Sequence, residues 1–163
     1  MKKSKTFNLK EIWASGKFSL WKISLALTTL LLFSPWLKLI GYEFTIESKL
    51  AHPSRSLHVY VNNGVFTFVN ILSDGTTRKS SGLIGFTNNS FYFLIFESKY
   101  LHVDDHLSPD LKRDLINANN HFFNVRLKTQ DGANILMSFD EELQFEDVQD
   151  QLAQITGHYP EID

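Results

Sequence analysis

The rhythm of apolar and polar positions changes three times along this chain. From Phe18 to Ile40 the residues are apolar with few interruptions, and the only charges are Lys22 and Lys38, each near one end. From Leu57 to Val61 and again from Val65 to Val69 apolar and polar residues alternate. Between these runs Asn62-Asn63-Gly64 suits positive φ, so the pattern predicts a β-hairpin. Near the C-terminus Phe145, Val148, Leu152 and Ile155 recur at spacings of three and four, which predicts an amphipathic helix from Glu141 to about Thr156. Asp140 would cap it and Gly157 would stop it.

Weaker signals fill in the middle. Thr76 to Ile84, Phe91 to Glu97 and Lys99 to Val103 read as further strands, with a break at Glu97-Ser98. Phe122 to Lys128 and Ala133 to Phe139 form a second hairpin around Thr129-Gln130-Asp131-Gly132. Ser108-Pro109-Asp110 supplies a cap, a proline at the first helical position and an acid near the positive end of the dipole. A short helix is therefore predicted from Pro109 to about Ala118, with Leu111 and Leu115 on its apolar side. The expected fold class is α+β: an N-terminal transmembrane helix, then a β-rich antiparallel meander or roll of pleckstrin-homology-like architecture, carrying a short helix and a C-terminal amphipathic one.

The run from Phe18 to Ile40 is long enough to be read as a membrane anchor, since a helix of that length spans roughly 34 Å against a hydrocarbon core of roughly 30 Å. Trp21 and Trp36 would sit at the two headgroup regions, and Lys22 and Lys38 would extend toward water. Its uninterrupted centre, residues 23–37, is short and contains Ser24, Thr28, Thr29 and Ser34, so a soluble or interfacial helix competes with this reading. A cleaved signal also competes, but no pair of small residues follows the run in the positions that cleavage needs. Residues 1–22 hold six lysines and one glutamate. The positive-inside rule then predicts a single-pass inner-membrane protein with a cytoplasmic N-terminus and an extracytoplasmic C-terminal domain. The expected organisation is a basic segment (1–17), the anchor (18–40), a linker (41–56), a β-rich domain (57–156) and a short tail (157–163).

Composition narrows the chemistry. The chain has 163 residues and no cysteine, which removes disulfides and thiolate sites. Residues 140–163 hold eight acids and neither lysine nor arginine, and no basic stripe interleaves with the aromatics, so nucleic acid is not an expected partner. The acidic positions Glu142, Glu146, Asp147 and Asp150 are instead candidate partner contacts on the predicted last helix. His102, Asp104 and His106 are donor types suited to a divalent metal, but their placement at a strand end and turn does not force them to converge, so no metal or other cofactor is assigned. The chain has no Gly-x-Ser-x-Gly elbow, phosphate loop or dinucleotide fingerprint, and no catalytic residue or small-molecule substrate is assigned.

Three stretches, Phe66 to Gly75 (FTFVNILSDG), Phe91 to Phe96 (FYFLIF) and Asp105 to Leu115 (DHLSPDLKRDL), together resemble the soluble part of the YgfX-like (CptA-type) bacterial inner-membrane family. That resemblance implies a toxin-like or regulatory protein with a cytoplasmic domain, acting on cytoskeletal polymers beside a small partner protein. The chain departs from the family in having one apolar run instead of two and in its added region from His121 to Thr156. The primary expectation is a non-enzymatic, membrane-anchored accessory or assembly protein, with membrane lipid and other membrane or envelope proteins as its partners. The YgfX-like activity is the alternative, and a metal-dependent enzyme around His102 a third.

Overall fold

A computed structural model describes residues 9–50, 55–103, 111–112, 114–115, 119–139 and 150–162, with backbone alone for 9–19 and Leu50. The chain divides into two compact units, 1–34 and 35–163.

In the first unit, α1 (Leu9–Leu32) is a helix. Thr28 and Thr29 turn their hydroxyls back onto the carbonyls of Ser24 and Leu25, at 2.9 and 2.8 Å, so these side chains satisfy themselves within the helix. Leu20, Trp21, Ile23, Leu25, Leu27 and Leu30 to Phe33 are all exposed.

The second unit is a closed barrel of eight antiparallel strands, each hydrogen-bonded to its neighbours in sequence. They are β1 (Glu43–Leu50), β2 (Arg55–Asn62), β3 (Val65–Ile71), β4 (Thr77–Thr87), β5 (Ser90–His102), β6 (Phe122–Asp131), β7 (Asn134–Phe139) and β8 (Gln151–His158). β8 pairs back onto β1, with Ile46 opposite Ile155, and that pairing removes both free edges of the meander. Alternation sends Phe44 and Ile46, Leu57, Val59 and Val61, Phe91, Phe93 and Ile95, Val125 and Leu127, and Ile135 and Met137 into one core. An eight-stranded barrel is just wide enough for its own side chains to fill. Here the rings of Phe93 and Phe123 stack at 4.7 Å, and Phe66 meets Phe93 edge-on at 5.1 Å. The cavity lined by Phe68, Phe91, Phe93, Phe123 and their neighbours has a volume of about 10 Å³, space for about one water, so among the described residues this part of the lumen is packed core.

This architecture corrects several expectations. The fold is an all-β barrel with helices preceding it, where α+β was expected. The predicted C-terminal helix is replaced over residues 151–158 by β8, in which Gln151, Ala153 and Ile155 turn inward and Leu152 outward. A spacing of three shares a face only in a helix; in β8 it sets Leu152 and Ile155 on opposite faces, and closing the sheet on β1 decides for the strand. Phe145 and Val148 lie outside the described residues. β1 falls in the segment expected to be a linker. The first hairpin turns at Asn63 and Gly64, both at positive φ.

The membrane anchor is also corrected. The helix ends at Leu32, a short α2 (Ser34–Leu37) follows, and Leu39 is fully buried in the barrel core. The apolar run is therefore split between the two units at Pro35, as expected where proline removes a helical hydrogen bond. What stays of the run in α1, residues 18–32, is shorter and includes Lys22, and the helix before it carries Lys10, Glu11 and Lys17. Among the described residues no helix is long and apolar enough to cross a membrane. The single-pass inner-membrane placement, and the orientation derived from the lysines, lose their basis.

β4 and β5 carry the irregularity that shapes the site. Register slips between Ser81 and Gly82, where Gly82 faces Ile95 and Ser81 faces Glu97, so Phe96 is an extra, bulged residue. A Cβ at position 82 would lie 1.9 Å from the carbonyl oxygen of Leu94, so the bulge is built around a glycine. The break expected at Glu97-Ser98 is in fact this bulge inside one continuous strand.

Candidate functional site

The bulge resets the alternation of β5. Before it, Phe91, Phe93 and Ile95 point inward; after it, the hydroxyls of exposed Ser98 and half-buried Tyr100 turn to the buried Ser80 and Asp114, while Glu97 and Lys99 face solvent. Ser98 Oγ lies 2.9 Å from Ser80 Oγ on β4, with either hydroxyl able to donate. On β3 the inward series Phe66, Phe68 ends in Asn70, and on β4 the series Ile84, Gly82, Ser80 ends in Arg78. Polar side chains therefore gather at one end of the apolar lumen.

Asp114 is the centre of this group, and it is fully buried. Leu111, Lys112, Asp114 and Leu115 have helical conformation, and the spacing of three puts Leu111 and Asp114 on one buried side. Arg78 Nη2 donates to Asp114 Oδ1 at 2.9 Å, and its Nε lies 2.8 Å from Oδ2 in a charge contact whose N–H points off the oxygen. Asn70 Nδ2 donates to Oδ1 at 3.0 Å and Tyr100 OH donates to Oδ2 at 2.9 Å. Arg55 Nη2 stands 3.9 Å from Oδ1. One carboxylate thus takes donors from β3, β4 and β5 and a charge contact from β2. Burial raises the Tyr100 phenol well above its ordinary value. The Asp114 charge and its hydrogen bond raise it further, and the Arg78 charge opposes them. The phenol stays protonated and donating across the neutral range.

Such an arrangement holds rather than reacts. A buried carboxylate with two arginines and two neutral donors ties its own segment to four strands, and removing Asp114 takes the carboxylate from the buried Arg78 in a low-dielectric interior.

The residues singled out from sequence lie elsewhere. His102 is exposed at the end of β5, and Asp104 and His106 are outside the described residues. Among the described residues no group of three metal-ligating side chains converges. Trp21 and Lys22 are exposed on α1, whereas Trp36 is half-buried in the second unit and Lys38 is exposed beside it in sequence. Glu142, Glu146 and Asp147 are outside the described residues, and exposed Asp150 accepts a hydrogen bond from Ser138 Oγ. Asp114, Arg78, Arg55, Asn70 and Tyr100 were not anticipated. A signal existed for two of them: Asn70 and Arg78 share parity with inward apolar neighbours, and a polar residue at a core position has to find a partner. No family model matches the chain, and no curated protein matches it.

Proposed function

We propose that this chain is a non-enzymatic accessory or assembly protein that works by protein–protein contact, with α1 as its main contact element and the barrel as a rigid carrier. The observation that carries this reading is the exposure of Leu20, Trp21, Ile23, Leu25, Leu27 and Leu30 to Leu32 on one helix. A helix that is apolar around its circumference is normally covered, and each large side chain gains roughly 1.5–3 kcal/mol when it leaves water. The stacking of Phe93 on Phe123 and the edge-on contact of Phe66 with Phe93 support the same reading, because ligand uptake among these rings would require repacking them.

Photo-crosslinking residues at Leu25, Leu27 and Leu31 of the full chain test the proposal, with Gln154 on the barrel exterior as the control. Adducts to a discrete protein from the three helix positions, and none from 154, are the expected result. Capture of lipid alone, or binding to protein-free vesicles that abolishes every protein adduct, would replace the protein partner by a lipid surface and overturn the proposal.

A further inference from the structure

β5 outruns its partner on one side. Its ladder with β6 ends at Leu94 opposite Phe122, and the Ile95 N–H bonded to the His121 carbonyl at 2.7 Å is the next contact along that edge. From Glu97 to Tyr100 the strand stays in register with β4, and Leu101 is a second extra residue where the register shifts between Arg78 and Thr77 before His102 pairs with Thr77; among the described residues no strand pairs with the other edge of this stretch. The stretch is open to solvent: Phe96 is 65% exposed and Leu101 57%. The side chains of Glu97 and Lys99 are 64% and 55% exposed.

We propose that this edge pairs antiparallel with the same edge of a second copy of the chain, about a twofold axis at Ser98. Charge selects that register. With Ser98 opposite Ser98, Glu97 of each copy faces Lys99 of the other, giving two opposite-charge pairs on the outer surface. Shifting the axis to Lys99 sets lysine against lysine, and shifting it to Glu97 sets glutamate against glutamate. The proposed register also sets each exposed Phe96 opposite the backbone of Tyr100 in the second copy, whose phenol turns inward to Asp114, with the exposed Leu101 next along that strand. In the single chain Lys99 Nζ lies 3.6 Å from Glu97 Oε1, a contact along one strand that two contacts between copies would replace.

A charged residue and a bulge are the devices by which natural edges avoid open-ended pairing. Here the bulge at Phe96 stops the ladder at one end and the Glu97/Lys99 pattern admits one register, so the contact closes on itself as an isologous dimer and does not propagate. It uses a different surface from α1 and stands independently of the contact role proposed for that helix.

The absence of cysteine makes the test direct. Ser98→Cys in the full chain places one thiol at the proposed axis, where directly opposed strand residues have Cβ atoms about 4.5–5.5 Å apart. Under mild oxidation it should form a disulfide-linked dimer at least about tenfold faster than Lys128→Cys, whose strand position is remote from this edge. A second arm needs no thiol. Glu97→Lys turns both cross-copy pairs into like charges and should weaken dimerisation about tenfold in sedimentation velocity, and the exchange Glu97→Lys with Lys99→Glu should restore it. Association driven by α1 would be blind to this exchange. Equal crosslinking at 98 and 128, a monomeric parent chain, or an exchange variant that stays as weak as Glu97→Lys would each overturn the proposal.

Discussion

The two ends of the barrel are closed by opposite chemistries. At the end where β2 turns into β3 and β4 into β5, the plug is apolar and backbone-tight: Leu39 is fully buried, and the Trp36 carbonyl and Pro35 come within 3.3 Å and 3.0 Å of where Cβ atoms would stand on Gly64 and Gly85. At the other end the plug is a carboxylate, Asp114, held by Arg78, Asn70 and Tyr100 with Arg55 nearby. The apolar plug gains from each atom buried and loses in proportion to what is removed. The charged plug depends on completeness, because an arginine or aspartate stranded without its partner costs more than the pair contributes.

That asymmetry is tested first where the effect is largest. Asp114→Ala should lower unfolding free energy by about 3–5 kcal/mol, read as a shift in denaturant midpoint with little change in slope. Asp114→Leu combined with Arg78→Met should be less damaging than either change alone, since it removes both charges together. If the double variant instead loses the sum of the two single losses, the charged end is behaving like an ordinary packed one and the contrast fails. Leu39→Ala at the apolar end should cost about 3 kcal/mol, with no apolar-for-polar rescue available.

At the apolar end the hairpin turn was legible in the sequence but the plug of Pro35, Trp36 and Leu39 was not, and at the charged end the cluster was not, for a physical reason. Alternation in Leu57–Val61 and Val65–Val69 with Asn63-Gly64 between them specifies a hairpin locally, because turn chemistry and side-chain parity act within a few residues. The Asp114 cluster joins residues from Arg55 to Asp114, and its parity on β5 depends on a bulge that Phe96 does not announce. Gly82 was the available sign of that bulge. The apolar run from Phe18 misled because hydrophobicity alone does not say where a helix ends: Ser34-Pro35 ends it, and Leu39 belongs to the barrel. The stripe at Leu152 and Ile155 misled because barrel closure, a contact with residues a hundred positions earlier, outweighs local periodicity.

A finer comparison uses two turn glycines. Gly64 at φ +76° and Gly75 at φ +85° serve turns at opposite ends, but a Cβ at Gly64 would meet Trp36 O at 3.3 Å, whereas at Gly75 nothing lies within 4 Å. Alanine at either position should cost about 1–2 kcal/mol for the left-handed backbone. The excess at Gly64 over Gly75 then measures how closely the apolar plug is seated. Equal losses at the two positions would mean that the plug yields at no cost.

The smallest effect is expected at alkaline pH and belongs to the charged end alone. The Tyr100 phenol ionises near 10.0 when unfolded and higher when folded, because burial and the Asp114 carboxylate both oppose a second negative charge. Above pH 10 the unfolded chain therefore holds fewer protons at this site than the folded one, so stability is intact below that value and falls as pH rises through it. Tyr100→Phe removes the phenol proton and with it this part of the slope, while it also takes one donor from Asp114 at every pH. Its stability should be lower than the parent's near neutrality, and the difference between the two should narrow above pH 10. The narrowing separates a donor to a buried carboxylate from a ring that merely packs: parallel curves for parent and variant would assign Tyr100 to packing and leave Arg78, Asn70 and Arg55 to hold Asp114.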